Sequence, residues 1–400
     1  MRLHVFNPEN DLALACFSPH FIPPRSARLM ARDLAALPAW WAGPGDAVRA
    51  SVRDGEWLRA GLQGSLLPAL EWAEGACLSA VSVVEPWGWS PLLWEQVHGA
   101  GVAAGMLPDA AALRRIRNGS CRSRAVELLA VLRSPDDKFG REWGRWLCGE
   151  SFYCTDEDAV ARLLARFPDT LLKAPWSGSG KGLRLGRGGW VPPLTGWCRR
   201  VLREQGGVVV EPIYNKVYDL AMEFYSDGQG RVDYRGLSRF VTTPRGTYVG
   251  NRVAPEAEHA RWLASFLPAG LWQALRDELA ARLSRMVGSD YRGPLGVDMM
   301  LCRPENDGGL CLHPCVEINL RRTMGQVAAD LSRFLAPGAE ALFAIDYCAE
   351  EGGLLADHER RLRDDPPRVA EGRWSGGYLA LTPVRTDTHY RASLRTADLR

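Results

Sequence analysis

The stretch Pro294-Leu295-Gly296-Val297-Asp298-Met299-Met300-Leu301 is an apolar run interrupted by one carboxylate, and Glu317-Ile318-Asn319-Leu320-Arg321 lies shortly after it. The first run has the length and composition of a buried strand. The polar segment Pro304–Gly309 reads as a turn, and Leu310–Leu320 reads as the returning strand. Pairing the two as a hairpin places Asp298 opposite Glu317. Strand side chains alternate, so Glu317, Asn319 and Arg321 share a face. Two carboxylates and an amide oxygen therefore converge, with a guanidinium beside them. Opposed carboxylates repel unless a cation lies between them, and hard oxygen ligands of this kind suit Mg²⁺. The plainer alternative is a solvated sheet face carrying an Arg–Glu pair.

Upstream, Leu171-Leu172-Lys173-Ala174-Pro175 reads as a strand that opens into Trp176-Ser177-Gly178-Ser179-Gly180-Lys181-Gly182. A loop of small residues exposes backbone N–H groups that can wrap phosphate oxygens, with lysine supplying the countercharge. It is not a Walker A loop, because Pro175 and Gly182 occupy positions where that pattern needs Gly and Ser or Thr. A plain surface hairpin is the competing reading. The chain has 4 lysines (Lys138, Lys173, Lys181 and Lys216) against 45 arginines, so a surviving lysine suggests a need for a compact point charge. Codon bias would leave the same few lysines by chance. Farther on, Val208-Val209-Val210-Glu211 is an apolar strand ending in a carboxylate, followed by Pro212-Ile213-Tyr214 and then Asp219. Such a connector can offer backbone groups to an adenine edge, with the second carboxylate for ribose hydroxyls.

Around these motifs, four segments are expected. Leu3–Phe6, Leu78–Val84 and a helix near Pro91–Ala100 predict a small parallel α/β domain over residues 1–112. Residues 113–210 form a second unit, with a helix over Ser123–Leu132 and another N-capped at Thr155. Residues 211–350 hold strands at Asp219–Tyr225 and Val232–Val241, and a long helix from Leu271 that stops at Gly288. Residues 351–400 form a charged, Pro-rich tail with one late strand near Gly377–Leu381.

Composition narrows the classes. At 46% hydrophobic and 24% charged residues, the 400-residue chain is ordinary globular protein. A net charge of +2 gives no global field for nucleic acid or anionic lipid. Apolar runs such as Gly207–Pro212 are far short of a membrane span, and Met1–Pro8 lacks a signal-peptide stretch. Ten cysteines without a C-x-x-C pair argue against a disulfide framework and for a reducing, cytoplasmic setting.

Taken in order, Lys173 before its glycine loop, Glu211, Asp298 and the run Glu317–Arg321 resemble the ATP-grasp superfamily over about residues 113–330. The resemblance implies an α/β chain with an N-terminal parallel α/β domain and two α+β subdomains clasping ATP. It implies that Lys173 holds the α/β-phosphates beneath Ser177, Gly178, Ser179, Gly180 and Lys181. Glu211 would accept from the adenine amino group, with Pro212 and Ile213 as hinge, and Asp219 would bind ribose. Asp298, Glu317 and Asn319 would hold Mg²⁺, and Arg321 would face the γ-phosphate or an acyl phosphate. The family's usual earlier lysine is absent, and Arg122 is its substitute here. The implied activity is ADP-forming ligation of a small-molecule carboxylate to an amine, with neither nucleic acid nor membrane as partner and with room for a homo-oligomer.

Other readings remain beside it. A non-catalytic ATP-binding scaffold would share the fold, and a small-molecule phosphotransferase would share the nucleotide site. Cys302, Cys311, His313 and Cys315 suggest zinc, although alternation puts the last three on one strand face. Asp298 with Glu317 also has the composition of a glycosidase pair. Trp40, Trp41, Trp87 and Trp89 could stack on a substrate or simply fill a core. Arg239 and Arg252 are placed to grip an acidic substrate.

Overall fold

The N-terminal run Arg2–Val5 forms strand β1, as its apolar residues predict. It lies in a four-stranded parallel sheet of order β3-β2-β1-β4, with β2 at Ala47–Val48, β3 at Glu71–Trp72 and β4 at Val83–Pro86. β2 and β3 extend the sheet on one side of β1 and β4 on the other, so the strand order reverses between β1 and β4. The strand expected at Leu78–Val84 starts later than predicted. Val81 N–H donates to Leu78 O at 3.1 Å, closing a turn over part of that run.

The computed structural model describes residues 1–75, 78–178, 182–187, 189–242, 248–304 and 309–396. The chain divides into two compact units. One comprises Met1–Leu113, Gly236–His259 and Arg321–Arg400; the other comprises Arg114–Arg235 and Ala260–Leu320. Among the described residues no helix is long and apolar enough to cross a membrane, and all nine described cysteines are free.

The second unit contributes β5 (Phe152–Cys154), β6 (Thr170–Lys173), β7 (Leu183–Leu185), β8 (Val208–Pro212) and β9 (Lys216–Asp227). β5-β8-β6-β7 form an antiparallel sheet. Helices Glu157–Arg166 and Pro192–Gln205 cover one face, burying Val160, Leu164, Trp197 and Val201 against Leu172, Val208 and Val210. The first of these helices starts one residue later than predicted. Asp156, with extended backbone, accepts from Ala159 N–H at 2.7 Å and is the N-cap in place of Thr155.

β10 (Val232–Thr242) runs across the division of the chain, and β11 (Tyr248–Val253) follows in the first unit. The second unit resumes with β12 (Arg292–Cys302) and β13 (Cys311–Asn319), which pair antiparallel; β12 also pairs with β9. Helix Leu271–Val287 ends at Gly288 as expected and packs on β9. The first unit is completed by β14 (Ala341–Tyr347), β15 (Arg368–Ala370), β16 (Arg373–Gly376), β17 (Leu379–Ala380) and β18 (Tyr390–Thr396). Its strands run β10-β11-β14-β18-β17. Beneath them lies a core of Phe6, Trp40, Trp87, Phe343 and Trp374, so Trp40 and Trp87 serve packing.

The β12–β13 hairpin has the predicted register at one end. Gly296 faces Asn319, Val297 faces Ile318 and Asp298 faces Glu317. Toward the turn the pairing slips, and Met300 faces His313. Met299 therefore lies opposite the three residues 314–316. Pro314 falls inside this bulge, where a residue without an N–H costs no ladder hydrogen bond.

Candidate functional site

The site in the second unit follows from strand alternation. Leu172, Val208 and Val210 face the covering helices, so Lys173 and Glu211 point to the opposite face of the same sheet. Register places Lys173 against Val209 and Glu211 against Leu171, making the two charged residues diagonal neighbours. Lys173 Nζ lies 2.6 Å from Glu211 Oε2, and both side chains are buried. Ser151 Oγ donates to Glu211 Oε1 at 2.9 Å, so each carboxylate oxygen has a partner.

Arg122 is the first residue of helix Arg122–Arg133, which packs on β13. Its Nη1 donates to Ala174 O at 2.6 Å and Ser177 Oγ at 2.7 Å. Its Nη2 donates to Ser177 O at 3.2 Å and Glu317 Oε1 at 2.8 Å. One buried guanidinium thus joins the start of the loop after Lys173 to a carboxylate on β13. The loop returns through Gly182, whose carbonyl accepts from Ala174 N–H. A Cβ there would stand 2.2 Å from Ser177 Oγ, so the close approach requires glycine. Trp176 braces the loop base through its indole N–H to Arg117 O at 2.8 Å, with the Arg117 guanidinium 4.0 Å above the ring. Ser179, Gly180 and Lys181 lie outside the described residues.

Asp298, Glu317 and Asn319 share one sheet face, as the pairing of Asp298 with Glu317 requires. Asn319 Nδ2 donates to Asp298 Oδ2 at 3.1 Å, which turns the amide oxygen away from that carboxylate. The three supply oxygen donors only, a set that fits a hard divalent cation such as Mg²⁺. No group of three or more His, Cys, Asp or Glu side chains suited to a metal occurs among the described residues, so the zinc reading has no support there.

Other predicted residues are engaged differently. Asp219 Oδ2 is 2.5 Å from Lys216 Nζ. Ile213 N–H donates to Asp169 O at 3.0 Å and Pro212 has no N–H, so neither offers a free amide to a base edge in this arrangement. Arg321 belongs to the first unit, where its Nε lies 2.8 Å from Asp11 Oδ1 and its Nη1 donates to Arg322 O at 3.2 Å. Arg239 faces Arg252 across β10 and β11 and donates to His259 Nδ1 at 2.9 Å. Burial, with the two arginines adding to it, pushes the His259 pKa down to about 3.

Three neighbours of the second-unit site were not anticipated as such. Ser151 and Tyr214 flank Glu211, the latter accepting from Glu150 N–H at 2.6 Å. His313, singled out only for zinc, is fully buried, and neither ring nitrogen makes a hydrogen bond. Burial first and the Lys173 charge second lower its pKa to about 3, so the imidazole is neutral. Gly149 packs on that ring at φ +110°, and a Cβ there would stand 2.5 Å from it. The spacing of Ser151 and His313 relative to Glu211 carries no local signal, whereas Tyr214 follows Glu211 by three residues in the same connector.

No family model matches the chain, and no curated protein matches it. Solved structures do. Biotin carboxylase from Campylobacter jejuni, solved as a β,γ-ATP complex, shares 13% identity at a TM-score of 0.50, covering 99% of this chain and 87% of that one. Rhizobium etli pyruvate carboxylase, solved with acetyl coenzyme A, shares 15% identity at a TM-score of 0.52, covering 99% of this chain and 36% of that one. N5-carboxyaminoimidazole ribonucleotide synthetase from Thermus thermophilus shares 14% identity at a TM-score of 0.46, covering 100% and 94%.

Proposed function

The chain has the ATP-grasp fold, and from that premise we propose that it is an ATP- and Mg²⁺-dependent ligase joining a carboxylate to an amine or similar nucleophile. The observation that carries the reading is the Arg122 bridge between Glu317 and the loop following Lys173. It ties the oxygen-donor set of β12–β13 to a phosphate-type loop. Neither element alone specifies the chemistry.

In this reading Lys173 holds the α/β-phosphates, with Ser177, Gly178, Ser179, Gly180 and Lys181 over them. Glu211 accepts from the adenine amino group and Asp219 takes ribose hydroxyls. Each carboxylate now holds a lysine, so nucleotide entry exchanges partners: Lys173 turns from Glu211 to phosphate, and Glu211 to the base. Asp298, Glu317 and Asn319 would hold Mg²⁺, which when bound neutralises charge on the transferring phosphoryl group. The γ-phosphoryl group passes to the carboxylate oxygen with release of ADP, leaving an acyl phosphate. The nucleophile attacks the acyl carbon and phosphate leaves. Residues 1–112, with the segment near 235–255, would select the substrates; residues 113–210 and 211–350 would clasp the nucleotide, and 351–400 would pack on the core.

A non-catalytic ATP-binding scaffold is favoured by one observation. Both terminal nitrogens of Arg122 are engaged with protein, whereas a phosphate-binding residue would need them. Mg²⁺-dependent ADP release with pooled acids and amines separates the two. Turnover with a joined product supports the ligase. ATP binding without any release supports the scaffold, and a stable phosphorylated product supports a phosphotransferase.

A further inference from the structure

In an open parallel sheet, ligands bind outside the carboxyl ends of the strands where the strand order reverses. Here that place lies between β1 and β4, and it carries the segment Asn7-Pro8-Glu9-Asn10 after β1, Arg49 after β2, and Trp87-Gly88 after β4. The two asparagines are structural. Asn7 Nδ2 donates to Gly88 O at 2.8 Å, and Gly88 N–H returns to Asn7 Oδ1 at 3.3 Å. The Asn10 amide, oriented to suit its surroundings, donates to Gly88 O and Trp89 O at 3.0 Å each. A Cβ on Gly88 would stand 2.4 Å from that amide, so the loops interlock at glycine. They hold Glu9 on a fixed turn.

Glu9 is different. It is 7% exposed, and its Oε2 makes no hydrogen bond. A buried carboxylate oxygen without a donor is costly and calls for a hydrogen-bonding partner. Arg49 is close enough for its charge to act on Glu9, yet no direct ion pair joins them, and its guanidinium is only partly buried. An anion-seeking group and a donor-seeking group thus stand at the end of one sheet without satisfying each other.

We propose that the carboxyl ends of β1, β2 and β4 bind a small zwitterion, its ammonium on Glu9 and its carboxylate or phosphate on Arg49. Such a molecule supplies the missing donor and the missing acceptor at once. Its role as the amine substrate rests on the ligase reading above; its binding does not.

The test uses the full chain without nucleotide. Binding of the standard α-amino acids and of O-phosphoethanolamine is followed by calorimetry and by thermal shift, each binder being repeated with its amine acetylated or its acid esterified. At least one zwitterion binds, and blocking either end weakens it roughly tenfold or more. Glu9→Gln and Arg49→Met weaken it comparably. Glu9→Gln also raises the unfolding midpoint of the free protein, since it removes an unpaired buried charge, whereas a residue with a purely structural role would lower it. The proposal is overturned if no zwitterion binds, if both variants bind normally, or if Glu9→Gln lowers that midpoint. Absence of ADP release would count against the ligase and leave these binding results standing.

Discussion

Lys173 and Glu211 form a buried ion pair, 2.6 Å between Nζ and Oε2, on the sheet face opposite the covering helices. Removing one member of such a pair strands the other charge. Lys173→Met and Glu211→Gln should each cost about 3–5 kcal/mol, and the double variant much less than their sum. Urea unfolding midpoints across the double-mutant cycle read this directly, and strict additivity would mean the pair is not coupled.

Arg122 uses a planar fork to reach Ala174, Ser177 and Glu317 together. Lysine keeps the charge and loses the fork. Arg122→Lys should therefore reduce ADP release by about tenfold or more, because the loop and Glu317 are no longer held in one geometry. Unchanged steady-state kinetics would show that the bridge does not position the site.

Asp298 and Asn319 share one hydrogen bond on the proposed cation face. Asp298→Asn removes a charge and leaves two amides facing each other. The Mg²⁺ concentration for half-maximal ADP release should rise by about 10–100-fold, with partial rescue at high Mg²⁺. An unaltered Mg²⁺ dependence would remove Asp298 from the metal site.

His313 has its pKa lowered from 6.5 to about 3 by burial and the nearby Lys173 charge. The unfolded chain binds this proton more readily than the folded one between those values. Stability is therefore complete above about pH 6.5 and declines as pH falls toward 3, by about 1.4 kcal/mol per pH unit for this group. His313→Leu should flatten the acid limb of a stability–pH profile. A profile with the original slope would assign acid sensitivity to other groups, His259 among them.

Much of the site was legible because its elements obey simple periods. A two-residue alternation and a polar turn sufficed to align Asp298 with Glu317, and a strand running into small residues marked Lys173. Other parts were hidden for identifiable reasons. β2 and β3 are two residues each and carry no period. β18 alternates Tyr390, Ala392 and Leu394 with Arg391, Ser393 and Arg395, and it was hidden in a charged tail because its polar face is also covered: Arg391 is fully buried and holds Asp346 at 2.7 Å and Asp357 at 2.6 Å. The Asp11–Arg321 pair joins residues 310 positions apart, and no local pattern encodes it. The slip at Pro314 escaped a uniform hairpin register because a bulge costs little where proline has no amide to offer.

That slip has a mechanical consequence. Strand pairing is set independently on its two sides, so an altered hairpin tip can be absorbed as a change of slack at residues 314–316. The oxygen-bearing end of the ribbon is thereby separated from the shifted pairing beyond it, and Asp298 and Glu317 stay face to face.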